Sequence, residues 1–318
     1  MMSVNYLRIS VTDRCNLRCL YCNPMGNCGF TDQQEILRFE EIHRIARLLA
    51  EYGISKVRLT GGEPLLRKNL AFLVEKLATT NGIEEVMLTT NGILLEQMAD
   101  ELKNAGLTRV NISLDSVESK SYHRITGFDL LAKVMKGVRE AIRVGLAPVK
   151  INTVTLRGIN DCQIPALAQM SADMPVIVRF IEYCPTNKGT GAGRDYVSTS
   201  EVRNMIEHKL GPLSHVLMGV GDGPAVYVKA KDSAGTIGFI SGRSSVFCNQ
   251  CNRLRLTSDG KIKPCLYSAH HYDLREFLRD GASDEAVRHL LKRILLEKSR
   301  YTKLNSFVEE FSMCKVGG

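Results

Sequence analysis

The chain has 318 residues, of which 44% are hydrophobic, and carries a formal charge of +8. That is ample for a large core without covalent staples, which excludes the small disulfide-framework class. No apolar run reaches membrane-spanning length and the N-terminal MMSVNYLRISVTDRC lacks a signal core, so a cytoplasmic protein is expected.

In chain order, apolar strand-like runs are predicted at Leu7–Thr12, Val57–Thr60, Val86–Thr90, Arg109–Leu114, Val149–Val154 and Val176–Ile181. Amphipathic helical patterns lie between them, at Glu40–Tyr52, Lys68–Thr79, Leu94–Asn104, Leu130–Val144 and Gln163–Ala172. This alternation predicts an α/β fold with a six-stranded parallel sheet, open or curled into a partial barrel, whose ligands gather at the carboxyl ends of the strands. Residues 1–184 form that unit, and the Gly-rich stretch 185–199 reads as a linker or loop. Residues 200–318 form a second region with a helix at Ser200–Lys209, strand-like runs at Ala225–Lys229 and Ile237–Ile240, and a helical tail.

The chain has ten cysteines, clustered rather than scattered, which points to metal or redox chemistry. Cys15, Cys19 and Cys22 follow the first strand with C-x3-C-x2-C spacing. Three thiolates on one loop can hold three corners of an iron–sulfur cube and leave the fourth iron open. A zinc knot completed by a distant ligand is the alternative. Cys248, Cys251 and Cys265 repeat the theme as C-x2-C-x13-C. Spacing alone leaves that trio open between a second cluster and zinc completed by His270 or His271.

The segment CNLRCLYC, with Thr60-Gly61-Gly62-Glu63-Pro64 after the second strand, resembles the radical S-adenosylmethionine (SAM) superfamily. The further segments YLRISVTDRCN, LTTNG, NISLDS, VKINTV, RFIEY and FCNQCNRLRLTSDG, and the terminal Gly317-Gly318, occur in the order seen in the GTP 3′,8-cyclase family of molybdenum cofactor biosynthesis. The resemblance implies a (β/α)6 partial TIM barrel with a C-terminal extension carrying an auxiliary iron–sulfur cluster. It implies two 4Fe–4S clusters and SAM as cofactors, GTP as substrate and an external electron donor. Cys15, Cys19 and Cys22 would hold the SAM cluster, and Cys248, Cys251 and Cys265 the auxiliary cluster, whose open iron binds guanine. Tyr21, Gly62, Ser113 and the Cys184 backbone would line the SAM site.

Substrate positions carried over in the same way are Arg8, Arg58, Thr89, Lys150, Arg253, Leu254 and Arg255, with Lys56 and Arg179 as further basic candidates. Arg8, Arg253 and Arg255 are the residues expected to act on the reaction through charge and positioning, and the Gly-Gly end would reach the active site. The implied chemistry is removal of the C3′ hydrogen of GTP by a 5′-deoxyadenosyl radical, then ring closure on C8 to 3′,8-cyclo-7,8-dihydro-GTP. The residues support this independently: Arg8, Arg58, Lys150 and Arg179 fall on four predicted strands, where buried charge is costly unless it has a partner. Pointed into a barrel, they would make a positive cavity for a triphosphate.

Bland readings suffice elsewhere. Cys28, Cys162 and Cys314 are expected to be ordinary thiols, His270-His271 a surface pair, Lys292–Arg300 a solvated helix face, and Lys261 and Lys263 solvent-facing. The family usually has Met where Asn23 and Cys184 stand, a Lys-Pro and a His near KSRYTKLNSF, and a Trp in the linker. These departures leave room for a paralogue with another substrate. A peptide-modifying radical SAM enzyme is one alternative, and a zinc-stabilised nucleic-acid-binding protein ranks last. Neither nucleic acid nor membrane is an expected partner, and homodimer formation is left open.

Overall fold

A computed structural model of the chain describes residues 4–23, 30–184, 195–217, 223–245, 248, 251–302 and 313–316, the side chains of 314 and 315 apart. The first half alternates as the pattern predicts. β1 (Tyr6–Ser10) and α1 (Phe39–Ala50) lead to β2 (Lys56–Thr60), α2 (Leu70–Ala78), β3 (Glu85–Thr90) and α3 (Leu95–Asn104). β4 (Arg109–Ser113) is followed by α4 (Ser119–Thr126), α5 (Leu131–Arg143), β5 (Val149–Thr155), α6 (Ile164–Asp173) and β6 (Val176–Glu182). The second half contributes α7 (Thr199–Leu210), β7 (Leu213–His215), β8 (Val226–Ala230) and β9 (Thr236–Ile240). Then come β10 (Arg253–Leu256), β11 (Lys261–Lys263), β12 (Tyr272–Asp273), α8 (Arg275–Arg279), α9 (Asp284–Glu297) and a short α10 (Met313–Val316).

The twelve strands among the described residues join one sheet, in the order β12-β11-β10-β1-β2-β3-β4-β5-β6-β9-β8-β7. The six expected strands form its centre, and the second half closes on both flanks: β10 pairs parallel with β1, and β9 parallel with β6. Eight parallel strands laid flat would span about 34 Å at ~4.8 Å spacing. Yet Arg253 of β10 and Arg179 of β6 line the same cavity, so the sheet is curled, as a partial barrel requires.

Strand alternation divides the roles. On β1, Leu7 and Ile9 are fully buried in the core, whereas Tyr6 and Arg8 face the cavity. Val57 and Leu59 repeat this on β2, and Val110 and Ile112 on β4. The core-facing stripe of α1 supplies Ile42, Ile45, Leu48 and Leu49, all fully buried. Phe180 of β6 and Phe239 of β9 stack with centroids 6.4 Å apart, packing the second half onto the first.

β7, β10, β11, β12 and α4 are not among the elements that the sequence pattern predicts. β10 reads RLRL, whose strict alternation is a strand signal with one basic and one apolar face. It also corrects one expectation. Leu254 points away from the cavity into the core, where it is fully buried, because it alternates with Arg253 and Arg255.

Glu182, at the end of β6, fastens the second half. Its buried carboxylate accepts from the backbone N–H of Thr199 (3.1 Å), Arg243 (2.9 Å) and Ser244 (2.8 Å). The Ser244 and Tyr196 hydroxyls donate to it as well, at 2.7 and 3.0 Å. Burial works to raise its pKa, but these donors win and hold it below the ordinary carboxylate value. Glu182→Ala strands these donors and is expected to cost about 3 kcal/mol or more, measured as a lower denaturant midpoint at unchanged slope.

Candidate active site

Two loops build the first part of the site. After β2, Gly61 and Gly62 lie so close to the loop after β1 that a Cβ on either would strike the carbonyl of Thr12 or Arg14. The Gly62 N–H donates to the Thr12 carbonyl at 2.7 Å, and the Glu63 N–H to that of Arg14 at 2.8 Å. The glycines therefore seat the GGEP loop on the backbone that leads into Cys15. Glu63 is fully buried and accepts from Leu65 N (3.0 Å), Thr90 Oγ1 (2.7 Å) and Asn91 N (2.7 Å), tying in the loop after β3. Burial pushes its pKa up to about 7 against those three bonds. Asn91 Nδ2 completes the tie by donating to Asn16 Oδ1 at 2.7 Å, beside Cys15.

These loops hold Cys15, Cys19 and Cys22 at the rim of a cavity of about 400 Å³. Tyr21, Gly62 and Ser113 line it too. The Tyr21 hydroxyl donates to Asp115 Oδ2 at 2.6 Å, and Asp115 also accepts from Val154 N at 2.8 Å. Burial pushes Asp115 up to about 6 and the Cys22 thiol up to about 12.

The floor of the cavity is cationic because the strand register makes it so. Arg255, Arg8, Arg58, Met87 and Arg109 stand in one row across β10, β1, β2, β3 and β4. Arg253, Tyr6, Lys56 and Glu85 form the next row, and Asn111 aligns with Lys150 and Asn152 with Arg179. Some of this charge is met by groups in the same rows. Arg109 pairs with Glu85, and Arg58 donates to the Tyr6 hydroxyl and, at 3.1 Å, to the Leu88 carbonyl. Burial works to raise the Tyr6 pKa, but Arg58, Arg8 and Arg253 outweigh it and lower it. Burial, then Arg179, Arg109 and Arg58, lowers Lys150 to about 7. Burial lowers Arg179 and Arg255 to about 10, and lowers Arg8 well below its ordinary value with Arg255 beside it. Thr89 Oγ1, Asn111 Oδ1 and Arg179 Nε are buried with no hydrogen-bond partner, as expected of a wall built for a polar ligand.

A second cavity of about 260 Å³ abuts the first, and Tyr21, Arg253 and Arg255 line both. Cys248, Cys251, Cys265 and Cys184 line its other side. Two expectations from sequence fail nearby. Lys298 is not on a solvated face: the turn after α9 buries it to 4% exposure and sets Nζ 3.6 Å from Cys251 Sγ. Lys263 is buried as well, opposite Arg255 in the β10–β11 register, whereas Lys261 stays near the surface against Asp259. Cys162 is exposed, as are His270 and His271. Cys28, the Cys314 side chain, the Gly317-Gly318 end and linker residues 185–194 lie outside the described residues. The residues missed from sequence are Tyr6, Glu63, Asp115 and Lys298. Tyr6, Glu63 and Asp115 lie within the motifs that carry the resemblance, and Lys298 carried no signal because its burial is a tertiary event.

Both cysteine trios suit an iron–sulfur cluster. Each offers three free thiols on one cavity wall, the first beside a glycine cradle and the second beside a buried cation. No three His, Cys, Asp or Glu among the described residues converge on a single metal ion. A cluster does not need such convergence, since each thiolate takes its own iron. Burial works to raise the Cys251 pKa, but Lys298, Arg253 and Arg255 outweigh it and hold it below the usual thiol value. Lys298→Met is therefore expected to raise the Cys251 pKa and slow its alkylation at pH 7.5, read by mass spectrometry against the exposed Cys162.

Comparison with known proteins identifies the family. Residues 9–170 match the family model described as the Radical SAM superfamily, and residues 176–304 that described as Molybdenum Cofactor Synthesis C. The chain is 45% identical over 318 residues to the GTP 3′,8-cyclase of Pelotomaculum thermopropionicum, covering 99% of this chain and 98% of that one. It is 44% identical over 306 residues to the GTP 3′,8-cyclase of Thermodesulfovibrio yellowstonii, covering 95% of each. Among solved structures, SAM-bound SuiB of Streptococcus suis has the same fold, with a TM-score of 0.65 at 16% identity over 91% of this chain and 68% of that one. The chain thus belongs to the radical SAM superfamily and, within it, to the GTP 3′,8-cyclase family.

Proposed function

We propose that this chain converts GTP to 3′,8-cyclo-7,8-dihydro-GTP, the reaction that opens molybdenum cofactor biosynthesis. The observation that carries this reading is the pairing of a cationic cavity with a cysteine-lined one across a shared wall of Tyr21, Arg253 and Arg255. A triphosphate suits the first cavity and a purine the second, so one nucleotide can span both.

In this reading Cys15, Cys19 and Cys22 hold one 4Fe–4S cluster, and Gly62, Tyr21, Ser113 and the Cys184 backbone surround SAM. Cys248, Cys251 and Cys265 hold the other cluster, and an external donor supplies the electron. Once bound, the clusters and SAM supply the radical chemistry. The chain's own groups do the rest. Arg8, Lys56, Arg58, Lys150 and Arg179 neutralise the phosphates, with Thr89 contributing a hydroxyl. Arg253 and Arg255, side by side on one face of β10, fix the nucleotide between its two ends. Residues 1–184 thereby serve cofactor and phosphates, and residues 200–318 the base. Positioning is the main catalytic resource: the ribose must sit in one orientation for its C3′ hydrogen to be taken. No helix among the described residues is long and apolar enough to cross a membrane.

Product analysis tests the reading. Anaerobically reconstituted protein given GTP, SAM and a reductant should yield the cyclised nucleotide, and Arg253→Ala should lower the rate by 100-fold or more at ~2.7 kcal/mol of lost stabilisation. Absence of 5′-deoxyadenosine above the no-GTP control, or unchanged turnover in the variant, would contradict it.

A second prediction concerns protons. Lys150, lowered to about 7 by burial and its cationic neighbours, is mostly neutral at pH 8 and regains its proton when phosphate arrives. GTP binding at pH 8 should therefore take up a proton, seen calorimetrically as a heat that varies with buffer ionisation enthalpy, and Lys150→Met should remove that variation. For stability the same shift works in the opposite sense to a salt bridge. The penalty of burying charged Lys150 is full below pH 7 and is relieved as pH rises from about 7 toward the ordinary lysine value.

A further inference from the structure

The second cavity holds one more thiol than the reading above uses. Cys184 lies two residues beyond Glu182, whose buried network fixes the end of β6. It lines the same cavity as Cys248, Cys251 and Cys265. The space it occupies depends on Gly242, where a Cβ would come within 3.0 Å of the Cys184 sulfur. Tyr267 connects it to the trio: its hydroxyl hydrogen-bonds with Cys184 and lies within electrostatic range of Cys265. Lys298 adds a buried cation on the same wall, with Nζ 3.6 Å from Cys251 Sγ.

A cluster held by three thiolates leaves one iron that takes the best donor in reach, and a thiolate is a stronger soft donor than water. We propose that Cys184 is a fourth, exchangeable ligand of the auxiliary cluster, bound in the nucleotide-free protein and displaced when the purine of the substrate enters. This rests on the reading that Cys248, Cys251 and Cys265 hold such a cluster. Ligation exchanges the S–H bond of Cys184 for an S–Fe bond and releases one proton to solvent. Displacement returns the proton, and no oxidation state changes in either direction. The device would cap a reactive iron while the site waits for substrate, at the cost of a competition that weakens nucleotide binding.

Differential alkylation of the full-length, anaerobically reconstituted protein tests this. Iodoacetamide is applied briefly with or without GTP, the chain is then denatured and labelled with a heavy analogue, and each cysteine is read by mass spectrometry. With about eight irons per chain, Cys184 should label at least ~10-fold more slowly than in chelator-stripped protein, and GTP should restore most of its reactivity. Steric shielding alone gives the opposite response, since added nucleotide would lower the labelling further. A second readout is the low-temperature EPR signal of the reduced protein. Wild type and Cys184→Met should differ without GTP and converge with it. If Cys184 labels equally in reconstituted and stripped protein while Cys248, Cys251 and Cys265 are protected, the fourth-ligand assignment is wrong and the cluster assignment stands. If those three label as well and iron stops near four per chain, the cluster assignment itself falls and takes this one with it.

Discussion

The burial of like charges in register is the constraint around which the rest of this molecule is arranged. Parallel pairing puts Arg255, Arg8 and Arg58 on three neighbouring strands at matching positions, with Arg109 two strands further on. At ~5 Å and an effective dielectric near 20, each adjacent pair repels by about 3 kcal/mol before solvent screening. A fold pays that cost only where something gives it back. Glu85 and the Tyr6 hydroxyl return part of it, and a bound polyanion would return more. Buried apolar layers on the other face of the same strands, such as Leu7, Ile9, Val57 and Leu59, hold the sheet together meanwhile. The protein is thus stable through one face of its sheet and prepared for polyanions through the other.

A second dependency runs through backbone contacts rather than charge. The GGEP loop, the loop carrying the first cysteines and the loop after β3 are fastened to one another by Gly62, Glu63, Asn91 and Asn16. None of these bonds needs a cofactor, so the cysteine loop is anchored at its start before any iron arrives. Glu182 does the same for the second half, where one carboxylate gathers β6, α7 and the segment ahead of Cys248.

Much of this was legible in the sequence, for definable reasons. The six central strands and most helices announced themselves by period, and their observed ends fall within about two residues of the expected ones. The basic residues on β1, β2, β5 and β6 were conspicuous because charge is unusual on a buried parallel strand. Three things were not legible. Arg253 and Arg255 lie on a strand that pairs with β1, and no local pattern names a partner that distant, although RLRL did encode which face is which. Leu254 reads as a contact beside its two basic neighbours, whereas its place in the alternation sends it into the core. Lys298 and Lys263 looked like ordinary surface lysines, and only the turn after α9 and the β10–β11 hairpin bury them.

The pairing of β10 with β1 also has a bearing on how the protein is made. The Asn252–Asn5 side-chain hydrogen bond beside that pairing joins residues 247 apart in sequence. Contacts of such long range form late, because the intervening loop must be closed before they contribute anything. During synthesis the N-terminal cysteines emerge and can fold with their glycine loop while the strand bearing Arg253 and Arg255 is still untranslated. For that interval β1 is an open sheet edge, exposed to mispairing. That late strand both seals the edge and supplies the wall common to the two cavities, so formation of the shared wall and protection of the nascent sheet are the same event.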